Sequence, residues 1–372
     1  MTLPAFSPAA PTRGKVMPDT QIVSLHTVQG VQLYQFLGNE LVDLAWSRDA
    51  DVTSRCELTV PSTLDYDRLP DIVPWLHWIS VWDDTGQELY WTGPIQKTVA
   101  TRQSMTISAR DMSTLFTRTR CPITKRWDVT WPADVAEELI DKMIDLHGLG
   151  VKPIKQRIQP GQWDERYDFA VSGDGKMLDA VMDELMRLGL RWTVVSGIPV
   201  LNPMPHTPIA ALAETDFVGG GLEIVRDGSM TYNDVMLKGA DNLAQAAVPM
   251  AGLHLQTTVE IDDMFGVSNV DRAVKQYAAY TSRIRDSVVL PDNSVLHPQA
   301  PVSLAQLIPS SRVVIDAYGQ LMLMEVTGVD VSYNSSTSSV SLRLDSVVTD
   351  EPELLALKDK TSISGGSPGA VP

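Results

Sequence analysis

The groups in this sequence best suited to trading protons are the carboxylate pairs Asp83-Asp84 and Asp262-Asp263 and the neighbouring Glu351 and Glu353. Cleaving a glycosidic bond needs two carboxyl groups on opposite sides of that bond, and adjacency along the chain does not supply that arrangement. Each is better read as solvated turn or tail charge. Gly173-Asp174-Gly175-Lys176 sets backbone amides and an ammonium at a helix start, where an anion can be cradled. A phosphate loop needs a longer glycine-bounded stretch and a Ser or Thr after the lysine, and Met177 stands there instead. That segment is read as a plain helix cap, and Gly219-Gly220-Gly221, without G-x-G-x-x-G spacing, as a hinge or tight turn.

His26, His77, His147, His206, His254 and His297 are scattered singly, with no H-E-x-x-H and no cysteine partner at ligand spacing, so no metal site is expected. Cys56 and Cys121 read as buried reduced thiols, since a chain of this size needs no disulfide framework. A G-x-S-x-G nucleophile elbow is absent. No catalytic, cofactor-binding or metal-binding residue is therefore assigned, and no cofactor is expected. Trp75, Trp78, Trp82 and Trp91 suggest either a carbohydrate-stacking platform or, as alternating strands favour, barrel core and subunit contact. Trp78 and Trp82 share parity and so point to one face. We expect an assembly surface carrying Trp78, Trp82, Trp91 and Tyr333.

The formal charge is −16, from 46 acidic and 30 basic residues, so the whole-protein field repels phosphate. That argues against sequence-specific nucleic-acid binding and suits a lumen through which DNA slides without sticking. No stretch reaches the roughly 18 unbroken apolar residues of a membrane-spanning helix, and no basic-then-apolar leader opens the chain. The expectation is a soluble protein made in the cytoplasm, with no stable membrane binding.

The elements that must position these groups fall into blocks. Residues 1–18 are rich in proline and alanine, and residues 351–372 end in a Gly/Ser/Pro-rich run; both read as flexible arms. From 19 to 118 short alternating strands follow one another, among them Gln32–Leu37 before Gly38-Asn39-Glu40, Cys56–Val60, Met105–Ala109, and Trp78–Trp82 and Leu89–Gly93 around the Asp83-Asp84-Thr85-Gly86 turn. Closure into a barrel would hide their edges. Residues 119–207 change character. Thr130 to Gly148 reads as a helix with Ala136, Leu139, Ile140, Met143 and Ile144 on one stripe, Asp174 to Leu188 as a second, and Arg191–Val195 with Ile198–Leu201 as a hairpin. Over 208–350 strands return around a helix from about Asn269 to Arg285, with Ala273, Gln276, Tyr277 and Tyr280 inward. They end in a hairpin of Val329, Val331 and Tyr333 against Val340, Leu342 and Leu344. The predicted fold is α+β, mostly β: two β-barrel domains separated by a small module of two helices plus a hairpin.

Trp91-Thr92-Gly93-Pro94-Ile95, then a strand, then Thr106-Ile107-Ser108-Ala109-Arg110-Asp111-Met112-Ser113, resembles the first barrel of phage tail hub proteins. There a strand ends in a W-x-G-x-I-like step and the next closes on an R-D-like helix start. The order barrel, α+β module, barrel over roughly residues 20 to 350 also looks like the hub proteins of siphophages and contractile tails. The resemblance implies a homotrimeric ring whose six barrels join a threefold tip to a sixfold tube. The implied partners are the distal tail or tail tube protein on one face and spike, fibre or other minor tail proteins on the other. The tape-measure protein leaves through the lumen, and genomic DNA only passes through it.

The location so implied is the virion tail tip, assembled in the bacterial host cytoplasm. Many relatives carry an added peptidase, lysozyme-like or receptor-binding part, and because this chain ends soon after its second β stretch any enzymatic role is expected to have to sit in the scaffold itself. A non-enzymatic structural role on a siphovirus-type tail is the expectation. The competing readings are a receptor- or carbohydrate-binding tip protein and a tail-associated cell-wall hydrolase.

Overall fold

Alternation of apolar and polar residues in the first β-rich stretch builds seven strands: β1 (Ile22–Thr27), β2 (Gln32–Phe36), β3 (Asp43–Asp49), β4 (Arg55–Pro61), β5 (His77–Trp82), β6 (Leu89–Ala100) and β7 (Ser104–Arg110). The computed structural model describes residue 16 and residues 20–37, 40–61, 70–156, 166–202, 207–291, 294–334 and 337–347. The expected C-terminal tail, all of the N-terminal arm except Val16, the Gly38-Asn39 turn residues, the middle of the Asn334 to Thr337 turn, His206, Glu351 and Glu353 lie outside the described residues. Val16 itself is buried, and its backbone bonds to Pro298 O and Leu304 N at 3.0 and 2.9 Å.

β5 and β6 form the expected hairpin. Its turn is held by Asp83, whose Oδ1 accepts the Gln87 and Glu88 amides at 2.7 and 2.9 Å, so this exposed carboxylate is spent on backbone geometry. The larger result is how far the sheet extends. Its eleven strands run in the order Ala210–Ala213, Arg312–Ala317, Gln320–Asn334, β3, β4, β7, β6, β5, β1, β2, with Ser338–Ser346 also paired to Gln320–Asn334. The joint is the antiparallel pairing of the long strand with β3, in which Val331 faces Trp46 and Val329 faces Arg48. Strands from the two β-rich stretches thus share one sheet and one core. Leu25, Leu58, Ile79 and Ile107 from the first stretch are buried with Ile315, Val329 and Val331 from the last. At roughly 1.5–3 kcal/mol for each such side chain, this common core outweighs the exposed ion pairs around it.

A second core gathers around three helices: α1 (Pro132–His147), α2 (Leu178–Arg187) and α3 (Val267–Thr281). α1 matches its sequence signals, with proline in the first turn, the stripe Ala136, Leu139, Ile140, Met143 and Ile144 buried, and Gly148 at φ +63° closing it. α2 begins at Leu178, four residues later than expected. The backbone before it is drawn aside by Cys121 N to Lys176 O at 2.8 Å and Leu178 N to Thr119 O at 2.9 Å, and Asp174 sits at φ +59°. α3 ends at Thr281 because Arg285–Val289 becomes a strand paired with Glu223–Asp227. Its buried stripe is Asn269, Val270, Ala273, Val274 and Ala278. Gln276 and Tyr277 are half-buried, and Tyr280 is exposed. Small residues win the inner face because the helix packs close to Gly239, where a β-carbon would stand 2.8 Å from the Val270 methyl. Among the described residues no helix is long and apolar enough to cross a membrane.

Candidate assembly interface

The W-x-G-x-I step and the R-D helix start meet in space, and the reason is steric. Residues 93 to 95 of β6 pass against the end of β7, where Ile95 faces Ala109. A β-carbon at Gly93 would lie 2.7 Å from the Arg110 carbonyl carbon and 2.9 Å from Asp111 Cα, nearer still to the Arg110 oxygen, so only glycine fits. Asp111 is buried and caps the 3-10 helix Met112–Arg118. Its Oδ1 accepts the Ser113 amide and hydroxyl at 2.8 and 2.6 Å, and its Oδ2 accepts the Ser54 amide at 2.8 Å. Burial pushes its carboxyl up to about 6, against these hydrogen bonds. The motif holds β4, β6 and β7 to the second core.

The four residues expected on the assembly surface divide into two pairs. Trp91 is 2% exposed and Tyr333 3% exposed, both inside the sheet core, so neither offers a surface to another chain in this fold. Register is the cause: Val81 pairs with Trp91, and Tyr333 pairs with Leu44, which puts both rings on inward-facing positions. Trp78 and Trp82 do share the opposite face of β5, and both are half-buried. Trp82 Nε1 donates to Ser24 Oγ at 2.8 Å, and Trp78 packs against the second core. Between them Ser80 Oγ lies 2.7 Å from both His26 Nε2 and Thr92 Oγ1.

This outer face is partly roofed by the Trp192–Val195 and Ile198–Leu201 hairpin. Ser196 Oγ donates to Leu89 O at 2.6 Å, and Gly197 touches the Thr92 methyl too closely for any larger residue. Arg191, entering the hairpin, pairs with Asp51 and with Glu325, the latter at 2.7 Å, while Asp51 also accepts the Trp192 amide at 2.9 Å. Burial raises both carboxyls against the pull of Arg191. Arg48 is a buried cation whose hydration is replaced by the carbonyls of Leu304 and Tyr90, each at 2.9 Å, and burial draws it down to about 10. Sequence reading passed over Arg48 and Arg191, since a lone arginine in a strand gives no local sign that it will be buried.

The other chemical candidates have structural partners. Lys176 of the Gly173–Lys176 segment is held by Glu184 at 2.5 Å and Asp263 at 2.9 Å, so its ammonium neutralises one buried and one half-buried carboxylate. Asp263 is thereby tied to α2, and Asp262 remains exposed. Cys56 and Cys121 are free and buried, and burial pushes both thiols up. His147 Nε2 lies 2.8 Å from Thr119 Oγ1, and His77 Nδ1 accepts the Val73 amide at 3.1 Å. Gly219 and Gly221 take positive φ in a turn. Among the described residues no three His, Cys, Asp or Glu side chains cluster as metal ligands. One groove of about 580 Å³ opens beside Trp78, with Trp75, Leu115, Arg118 and His147 on its walls.

One large mostly-β sheet with a helix-bearing second core is a fold shared with phage and prophage tail proteins. The tail protein from Neisseria meningitidis matches it with a TM-score of 0.59 at 14% identity, over 87% of this chain and 96% of that one. The 43 kDa tail protein of prophage MuSo2 from Shewanella oneidensis matches with 0.57 at 13% identity, over 88% and 98%. Prophage tail protein gp18 from Listeria monocytogenes matches with 0.53 at 11% identity, over 93% and 100%. No protein-family model matches the sequence, and no curated protein does.

Proposed function

We propose that this chain is a non-enzymatic structural protein of a phage tail tip, the hub that adapts a sixfold tail tube or distal tail protein to a threefold tip. Three copies form a ring, each contributing two β-rich units joined by the pairing of β3 with the Gln320–Asn334 strand, and the ring lines the channel through which DNA leaves. The observation that carries the reading is a likeness of fold over most of both chains, 87% of this one and 96% of the Neisseria meningitidis tail protein. The charge of −16 supports it, because a lumen of that sign does not bind the passing phosphates. So does the structural employment of Asp83, Asp111, Lys176 and Asp263, each committed to holding the fold.

The reconstruction of an intact tail tip tests this directly. Three copies around a central channel below a sixfold ring is the expected result. A peripheral position or another copy number would overturn the hub and favour the receptor-binding reading, which the exposed aromatics Trp75, Tyr280 and Tyr318 would support. Zymography on host peptidoglycan is expected to show no lysis band.

A further inference from the structure

The groove beside Trp78 has two features that the fold itself does not use. Trp75 sits at φ +70°, a strained conformation for a bulky side chain, and its amide is pinned to Ile95 O at 2.7 Å. This pins the indole at the lip of the groove. Across it lies the Arg118 guanidinium, 5.6 Å from the ring, with no carboxylate of the described residues within ion-pair distance. An apolar groove whose guanidinium lies over Trp75 and is paired with no carboxylate of the described residues fits an apolar side chain that travels with a carboxylate.

The chain itself carries such a group. Met230 is 73% exposed, the most exposed of the large hydrophobic side chains described, in the turn after the Glu223–Asp227 strand. Asp227 lies three residues earlier and is exposed. The Ser229 amide, donating at 2.7 Å, holds its carboxyl below the ordinary range, so it is ionised at neutral pH. An unbranched thioether adapts to irregular grooves and makes favourable contact with an aromatic ring. Groove and turn are different patches, so a contact between them is head-to-tail, the type that closes rings.

We propose that the Trp75–Trp78 groove receives the Met230 turn of a second copy of this chain, with Arg118 pairing with Asp227 of that copy. This rests on the reading that copies assemble at the tail tip, and it names the surfaces that meet.

Sedimentation velocity of the full chain over a wide concentration range tests it. Wild type should self-associate, Arg118→Glu and Asp227→Arg should each weaken association at least tenfold, and the double variant Arg118→Glu/Asp227→Arg should restore it. Both positions are exposed, so unchanged melting curves serve as the folding control. Association unaffected by either single variant, or not restored in the double variant, would overturn the contact and leave the groove to a different partner. A wild-type chain that stays monomeric throughout would overturn it too. The hub reading would survive all three results, because the tail-tip reconstruction tests it independently.

Discussion

Gly93 lies directly beneath the backbone of Arg110, so close that a β-carbon would come within 2.7 Å of the Arg110 carbonyl carbon. The contact locks β6 to the corner where β7 turns into the capped 3-10 helix, and neither strand can retreat without breaking its ladder. Gly93→Ala is therefore expected to cost at least about 3 kcal/mol, at the upper end for overpacking, because the clashing atoms are backbone. A urea denaturation midpoint equal to wild type would refute this.

Asp111 satisfies three donors from Ser54 and Ser113 in a site without water access. Asp111→Ala leaves two buried amides unpaired and removes a helix cap, for an expected loss of about 1–3 kcal/mol. Equilibrium denaturation at neutral pH measures it, and a loss within error of zero would show that the cap is dispensable.

The same residue predicts a pH dependence. Its folded carboxyl is raised to about 6 from an ordinary 3.8, so between those values the native state binds the proton more readily than the unfolded chain. The contribution to stability is full below the lower value and is lost as pH rises through the upper one. From pH 7 to pH 5 wild type should gain about 1 kcal/mol relative to Asp111→Asn, which has no proton to bind there. Parallel stability curves for the two proteins would contradict the assignment.

Arg191 faces two carboxylates, Asp51 and Glu325, that would repel one another without it. Because the arginine is about one-third exposed, solvent softens the effect, and Arg191→Ala is expected to cost about 1–3 kcal/mol instead of the full penalty of a buried pair. Adding Glu325→Gln should return part of it. A double-mutant cycle with no coupling would mean that the hairpin is held by its backbone contacts alone.

The sequence alone determined the local elements. The α1 stripe and its glycine stop, the Asp83 hairpin, the terminal hairpin pairing Val331 with Val340, and the shared face of Trp78 and Trp82 all follow from periods of 3.6 and 2 and from turn chemistry. Those signals arise between residues a few positions apart, so they are legible without any knowledge of the rest of the chain. Tertiary structure decided what no local signal encodes. It joined β3 to a strand nearly three hundred residues away, moved the start of α2 four residues on through the Thr119–Cys121 backbone, and turned Trp91 and Tyr333 inward. Alternation tells that a strand has two faces; only the register with Val81 and Leu44 says which of them is covered, because burial belongs to the packed pair and not to either residue.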